Sequence, residues 1–212
     1  MLGTGAADLM DMSSGPKLTG IDEIDGGDGD DTIIGTGADD FIEGNHGDDS
    51  LAGGDGNDTF SIYGSYAGTD QIDGGAGYDV VQGTSASDVF RVESHLGNLT
   101  DIEEIDGGPG GHDVVLGTGA ADLMDMSSGP KLTGIDEIDG GDGDDTIIGT
   151  AADDFIEGNH GDDSWRAATA TTPSRSTGPT PAPTRSTAAR GTMSSRARAQ
   201  ATCSAWRVTL PT

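Results

Sequence analysis

Twelve aspartates recur in one setting. Each is the sixth residue of a nonapeptide that opens with Gly and carries an apolar residue at position 8. Four copies, "GGDGDDTII", "GTGADDFIE", "GNHGDDSLA" and "GGDGNDTFS", run end to end over residues 26–61, and the others begin at Gly3, Gly74, Gly83, Gly108, Gly117, Gly140, Gly149 and Gly158. A carboxylate beside a glycine-rich turn offers only oxygen ligands, its own and those of the turn carbonyls. That donor set suits a hard cation, and Ca²⁺ accepts six to eight oxygens in irregular geometry. If the copies stack, their carboxylates lie a few ångströms apart and repel by roughly 1 kcal/mol per pair in water, more at lower dielectric. A bound cation removes that repulsion.

The elements that position the aspartates are legible in the same nine residues. Gly at position 1, and at position 4 in seven copies, permits positive φ and close backbone approach, so the first six residues form a tight turn. The last three form a short strand with position 8 facing inward: Met10, Ile33, Ile42, Leu51, Phe60, Val81, Phe90, Val115, Met124, Ile147, Ile156 and Trp165. One copy buries nothing by itself, whereas a stack of copies builds a continuous core. Inserts of 14, 12, 16 and 14 residues separate the runs and end in related phrases, "TGIDEID", "GTDQID" and "LTDIEEID". Ile21, Ile24, Ile72, Ile102 and Ile105 are expected to continue the inward row through them. Residues 2–50 recur at 116–164, with Gly37 replaced by Ala151.

Charge narrows the function. All 38 acidic residues lie in residues 1–164, against Lys17, Arg91 and Lys131, which leaves −35 there. Such a chain is repelled by nucleic acid and anionic membranes and attracts cations. With 32 % apolar and 4 % aromatic residues the chain lacks a broad globular core. Its apolar runs are too short to span a bilayer, "MLGTGAADLM" lacks the regions of a signal peptide, and Cys203 alone forms no internal disulfide. No H-E-x-x-H, G-x-S-x-G or Walker sequence occurs, so no enzyme is expected. An EF-hand is excluded because "DGGDGDDTIIGTG" lacks the later ligands. His46 and His160 are expected in solvent, Glu43 near His46 is no catalytic pair, and Tyr63 and Tyr66 are expected to pack. The Thr residues occupy several repeat positions, which argues against an ice-binding array.

The pattern G-G-x-G-x-D-x-U-x resembles the hemolysin-type, or repeats-in-toxin (RTX), calcium-binding nonapeptide. The resemblance covers nearly all of residues 3–164. It implies an all-β parallel β-roll, or β-solenoid, in which successive nonapeptides alternate sides and two make one coil. It implies Ca²⁺ between turns on the same side, so that Asp31 pairs with Asp49 and Asp40 with Asp58. Carbonyls around Gly27, Gly29, Gly47, Gly54 and Gly56 would complete the shells. Asp79 and Asp88 form a shorter run, and Asp8, Asp113, Asp122, Asp145 and Asp154 occupy the same position elsewhere. Copies with Thr at position 2 and Ala at position 4 are expected to turn differently and bind more weakly, Asp8 and Asp122 least securely. Pro109 removes a backbone donor from its copy.

Residues 165–212 contain no Asp or Glu and seven Arg. Codons exist that encode Ala52 to Leu96 in one frame and the tail as far as Leu210 in the next; agreement fails at Gly97. The chain therefore reads as a calcium-binding roll over 1–164 and an out-of-frame, disordered tail over 165–212, with Trp165 over the open end of the stack. Met1 stands where Val115 stands in the second copy, as in a piece of a longer reading frame. The expected function is calcium binding by a roll that folds on binding, within a larger extracellular protein, secreted by a route independent of a signal peptide or held at the cell surface. Its partners are calcium ions, without nucleic acid or membrane insertion; contact with a cell surface or host protein belongs to the parent. The parent is either an adhesin-like array or a secreted hydrolase, such as a protease or lipase, whose C-terminal export and folding module this is.

Overall fold

The computed structural model describes residues 1–13, 23–62, 68–151, 154–166 and 168. Among them there is no α-helix, and the one helical turn is a 3₁₀ turn at Ser94–Leu96. Every strand pair is parallel. The chain is a β-solenoid, as the repeat pattern predicts.

Short strands follow directly from the nonapeptide. Thr32–Ile34 and Thr59–Ser61 are positions 7–9 of their copies, with one apolar side chain buried between two outward ones. Each strand pairs with the strand one coil away, and the inward residues, from position 8 and from the inserts, meet in register: Met10, Ile33, Leu51 and Ile72 on one face, Ile24, Ile42, Phe60 and Val81 on the other. Ile33, Ile42, Phe60, Ile105, Val115, Met124 and Ile147 are fully enclosed. Burial of each such side chain contributes roughly 1.5–3 kcal/mol, and the row of them is the core.

Two strands make one coil from Ile24 to Gln82, and where the nonapeptides are contiguous two of them make one coil, as the resemblance implies. The architecture then changes. Val89–Arg91 does not rejoin either earlier sheet but starts a new one, continued by Val114–Leu116, Glu137–Asp139 and Ile156–Glu157. Leu123–Asp125 starts a fourth sheet, followed by Thr146–Ile148 and Ser164–Arg166. Coils here have three sides: the insert strands Glu104–Asp106 and Lys131–Thr133 extend the first sheet, that of Ile24 and Ile42, the insert strand Glu137–Asp139 joins the third, and nonapeptide strands supply the rest of the third and the fourth. The spacing between stacked aspartates grows from 18 residues at Asp31 and Asp49 to 25 at Asp88 and Asp113.

The inserts continue the inward row as expected at Ile24, Ile72 and Ile105, all buried, while Ile102 is partly buried against the core. Ile21, Tyr63 and Tyr66 lie outside the described residues, as does the tail from residue 169. Trp165 takes the inward register opposite Ile147 yet remains 41 % exposed.

Candidate metal centre

Position 6 of the repeat builds a ladder. The Asp31 N–H donates to Oδ1 of Asp49 at 2.8 Å, and the Asp40 N–H to Oδ1 of Asp58 at 2.8 Å. The same bond joins Asp8 to Asp31, Asp58 to Asp79, Asp88 to Asp113, Asp122 to Asp145 and Asp145 to Asp163. Two pairings drawn from the resemblance, Asp31 with Asp49 and Asp40 with Asp58, are thus neighbours in the stack. Asp154 stands alone among the candidates in having no such bond among the described residues.

The ladder also holds residues that the repeat pattern missed. Asp70 receives the Asp49 N–H at 3.0 Å, Glu103 receives the Asp79 N–H at 2.8 Å, and Asp136 receives the Asp113 N–H at 3.0 Å. All three come from inserts. Their signal was present: each stands two residues before an inward Ile, at Ile72, Ile105 and Ile138, the spacing of position 6 to position 8.

Oδ1 is satisfied along the ladder, but Oδ2 divides the aspartates. Oδ2 of Asp31, Asp49, Asp58, Asp79, Asp145 and Asp154 is buried with no hydrogen-bond partner. Burial raises the carboxyls of Asp49 and Asp58 to about 6 and that of Asp70 to about 7, with the neighbouring carboxylates adding to the rise. Burial also raises Asp31, Asp79, Asp113 and Asp145. An anionic oxygen enclosed without a donor is costly unless a cation meets it.

The glycines explain how that space is kept. Positive φ falls at positions 2 and 4, at Gly27, Gly29, Gly54 and Gly56, with Asn45 and Gly47 doing the same in the next copy. It does not fall at position 1 in these copies, contrary to the expectation above. Position 1 is glycine for room. A Cβ on Gly44 would lie 2.1 Å from Asp49 Oδ2, and one on Gly53 would lie 2.0 Å from Asp58 Oδ2. A Cβ on Gly26 would meet Asp31 Oδ2 at 2.4 Å and the Gly44 carbonyl oxygen at 2.9 Å. Orphaned carboxylate oxygen and next-coil carbonyl therefore share one small space beside the position-1 glycine. Carbonyls of Gly29, Gly47, Gly54 and Gly56 stack against the positive-φ glycine of the following coil, so that no side chain fits between turns. In the Pro109 copy, Gly107 rather than Gly108 makes the position-1 contact, 2.7 Å from Asp113 Oδ2 to a Cβ built there. That turn holds one residue more than the others.

Position 5 forms a second, exposed ladder running the other way. The Asp48 N–H donates to Asp30 Oδ1, Thr69 to Asp48, Asn57 to Asp39 and Tyr78 to Asn57. His46 and His160 are solvent-exposed, as expected, beside Asp28 and Asp142 at 3.3 and 3.0 Å. Glu23, Asp25 and Glu43 form a separate group on the outer face, with carboxylate oxygens within 4.8 Å of one another.

A parallel solenoid with stacked, desolvated aspartates and carbonyl-lined turns is a calcium-binding β-roll. Residues 19–60, 65–93 and 132–164 match the family model of the RTX calcium-binding nonapeptide repeat, which counts four copies. The nonapeptides within those residues are RTX calcium-binding repeats, and Ca²⁺ is the ion such repeats take. No curated protein matches the chain. No solved structure matches it.

Proposed function

We propose that the chain is a calcium-folded, non-catalytic module of a larger secreted or surface protein, in which the roll serves as a repeating spacer of an adhesin-like array. The observation that carries this reading is the row of buried, unpartnered Oδ2 atoms at Asp31, Asp49, Asp58, Asp79 and Asp145. These residues hold the ion together with carbonyls of the stacked turns. When bound, calcium supplies the positive charge that the ladder lacks and turns repulsion between coils into a shared contact. In its absence the charge of −35 on residues 1–164 and the unpartnered oxygens oppose folding. RTX repeats are typical of secreted proteins, and calcium outside cells reaches the concentrations that weak sites need. The recurrence of residues 2–50 at 116–164 favours an array over the export module of a hydrolase.

Circular dichroism of the full chain tests the reading. In excess chelator residues 1–164 should be largely unfolded, and calcium at ~0.1–1 mM, the range of extracellular modules, should produce β structure. Equal β content with and without the ion would discard it.

A further inference from the structure

The turns fall into two chemical kinds, and one residue separates them. In copies that open Gly-Thr, the threonine at position 2 holds the aspartate of its own turn. The Thr36 N–H and hydroxyl donate to Asp40 Oδ2 at 2.7 and 3.0 Å. Thr4 does the same to Asp8 Oδ2 at 2.6 and 2.8 Å, Thr84 to Asp88 at 2.6 and 3.0 Å, and Thr118 to Asp122 at 2.7 and 2.8 Å. In copies that open Gly-Gly or Gly-Asn, position 2 has positive φ and Oδ2 is bare at Asp31, Asp49, Asp58, Asp79 and Asp145. The fifth threonine, Thr150, donates its hydroxyl to Asp154 Oδ1 at 2.6 Å and leaves Oδ2 without a partner.

The surroundings are otherwise alike. A Cβ on Gly35 would lie 2.4 Å from the Gly53 carbonyl oxygen and 2.8 Å from Asp40 Oδ2, and one on Gly53 would meet the Gly74 carbonyl and Asp58 Oδ2 in the same way. Only the donors differ. Two hydrogen-bond donors aimed at Oδ2 present the positive ends of their dipoles where a cation would sit, and the amide N–H has no lone pair to ligate it. Calcium would have to break both bonds to enter.

We propose, on the footing of the calcium-binding reading above, that position 2 decides which turns take the ion: Gly and Asn leave a calcium site, whereas Thr replaces the ion with an internal cap. The capped turns at Asp8, Asp40, Asp88 and Asp122 are then held without metal. Three of them open a sheet: Leu9–Asp11, Val89–Arg91 and Leu123–Asp125, which follow Asp8, Asp88 and Asp122, are the first strands in chain order of their sheets. In those three sheets the threonine cap stands at the first turn of the column, and at Asp40 it stands within one.

Counting bound calcium per full chain by equilibrium dialysis tests this. Asp58→Asn should lower the number by about one, because a carboxylate ligand is lost. Asp40→Asn should leave the number unchanged, and the pair Thr36→Gly with Ala38→Gly, which rebuilds the Gly-Gly turn, should raise it by about one. Asp122→Asn repeats the second arm in another column, so that a folding failure at one turn leaves the other to decide. Loss of an ion in Asp40→Asn or Asp122→Asn equal to that in Asp58→Asn would overturn the proposal, as would a rebuilt turn that adds none. A natural chain that binds no calcium would instead overturn the function proposed above.

Discussion

The backbone N–H of Asp31 donates to one carboxylate oxygen of Asp49 at 2.8 Å, while the other oxygen of Asp49 is buried without a partner. One side chain thus joins two coils and, from the same carboxylate, presents a charge that the protein itself does not neutralise. The hydrogen bond sets the stacking register, and the spare oxygen makes that register depend on a cation.

Replacement of neighbouring aspartates should separate these roles. Asp49→Ala should lower calcium affinity at its turn at least tenfold, about 1.4 kcal/mol. Asp48→Ala removes only the exposed acceptor of the Thr69 N–H and should cost about 0.5 kcal/mol of stability with calcium affinity nearly unchanged. Calorimetric titration of both variants distinguishes them, and equal loss of binding would refute the assignment of position 6 to the ion.

Gly44→Ala tests the space rather than the charge. The φ of Gly44 is not positive, so alanine meets no backbone penalty there, but its Cβ would fall 2.1 Å from Asp49 Oδ2. Calcium affinity should fall at least tenfold, about 1.4 kcal/mol, although every carboxylate is retained. Affinity like that of the natural chain would show that the space beside Gly44 is not the ion's.

Acid should stabilise the metal-free chain. Burial places the folded-state carboxyls of Asp49 and Asp58 at about 6 and that of Asp70 at about 7, above the ordinary 3.8. Between those values the folded state binds more protons than the unfolded state, so its stability falls as pH rises from about 4 to about 7. Melting in chelator should therefore occur at lower temperature at pH 7.5 than at pH 4.5. Calcium must displace the same protons, and its affinity should rise over that interval. A melting temperature that climbs with pH in chelator would contradict the raised values.

The threonine caps predict a separable effect on stability. Thr118→Val keeps the shape and the N–H bond but deletes the hydroxyl at 2.8 Å from Asp122 Oδ2. It should lower metal-free stability by about 1 kcal/mol, measured by denaturant in chelator at the pH where some roll persists. An unchanged midpoint would mean that the hydroxyl bond is replaced by water.

The nonapeptide by itself determined the turn, the short strand, the inward row and the aspartate that faces the next coil, because all of these follow from nine residues and the requirement that copies stack. Asp70, Glu103 and Asp136 carry part of its signal, the two-residue step to an inward Ile, but lie in inserts that the nonapeptide pattern missed. What it did not determine is how many sides a coil has. Ile24 and Ile138 occupy equivalent places in the duplicated segment, yet Ile24 stacks on Ile42 in the first sheet and Ile138 lies between Val115 and Ile156 in the third. The preceding coil decides this, since a strand pairs with whichever edge the last coil leaves open and the inserts set the length available to reach it. The difference between capped and bare carboxylates was likewise decided in three dimensions. Thr at position 2 is visible in the sequence, but only the φ of that residue and the packing of the next coil determine whether its N–H turns toward the aspartate or leaves an oxygen for calcium.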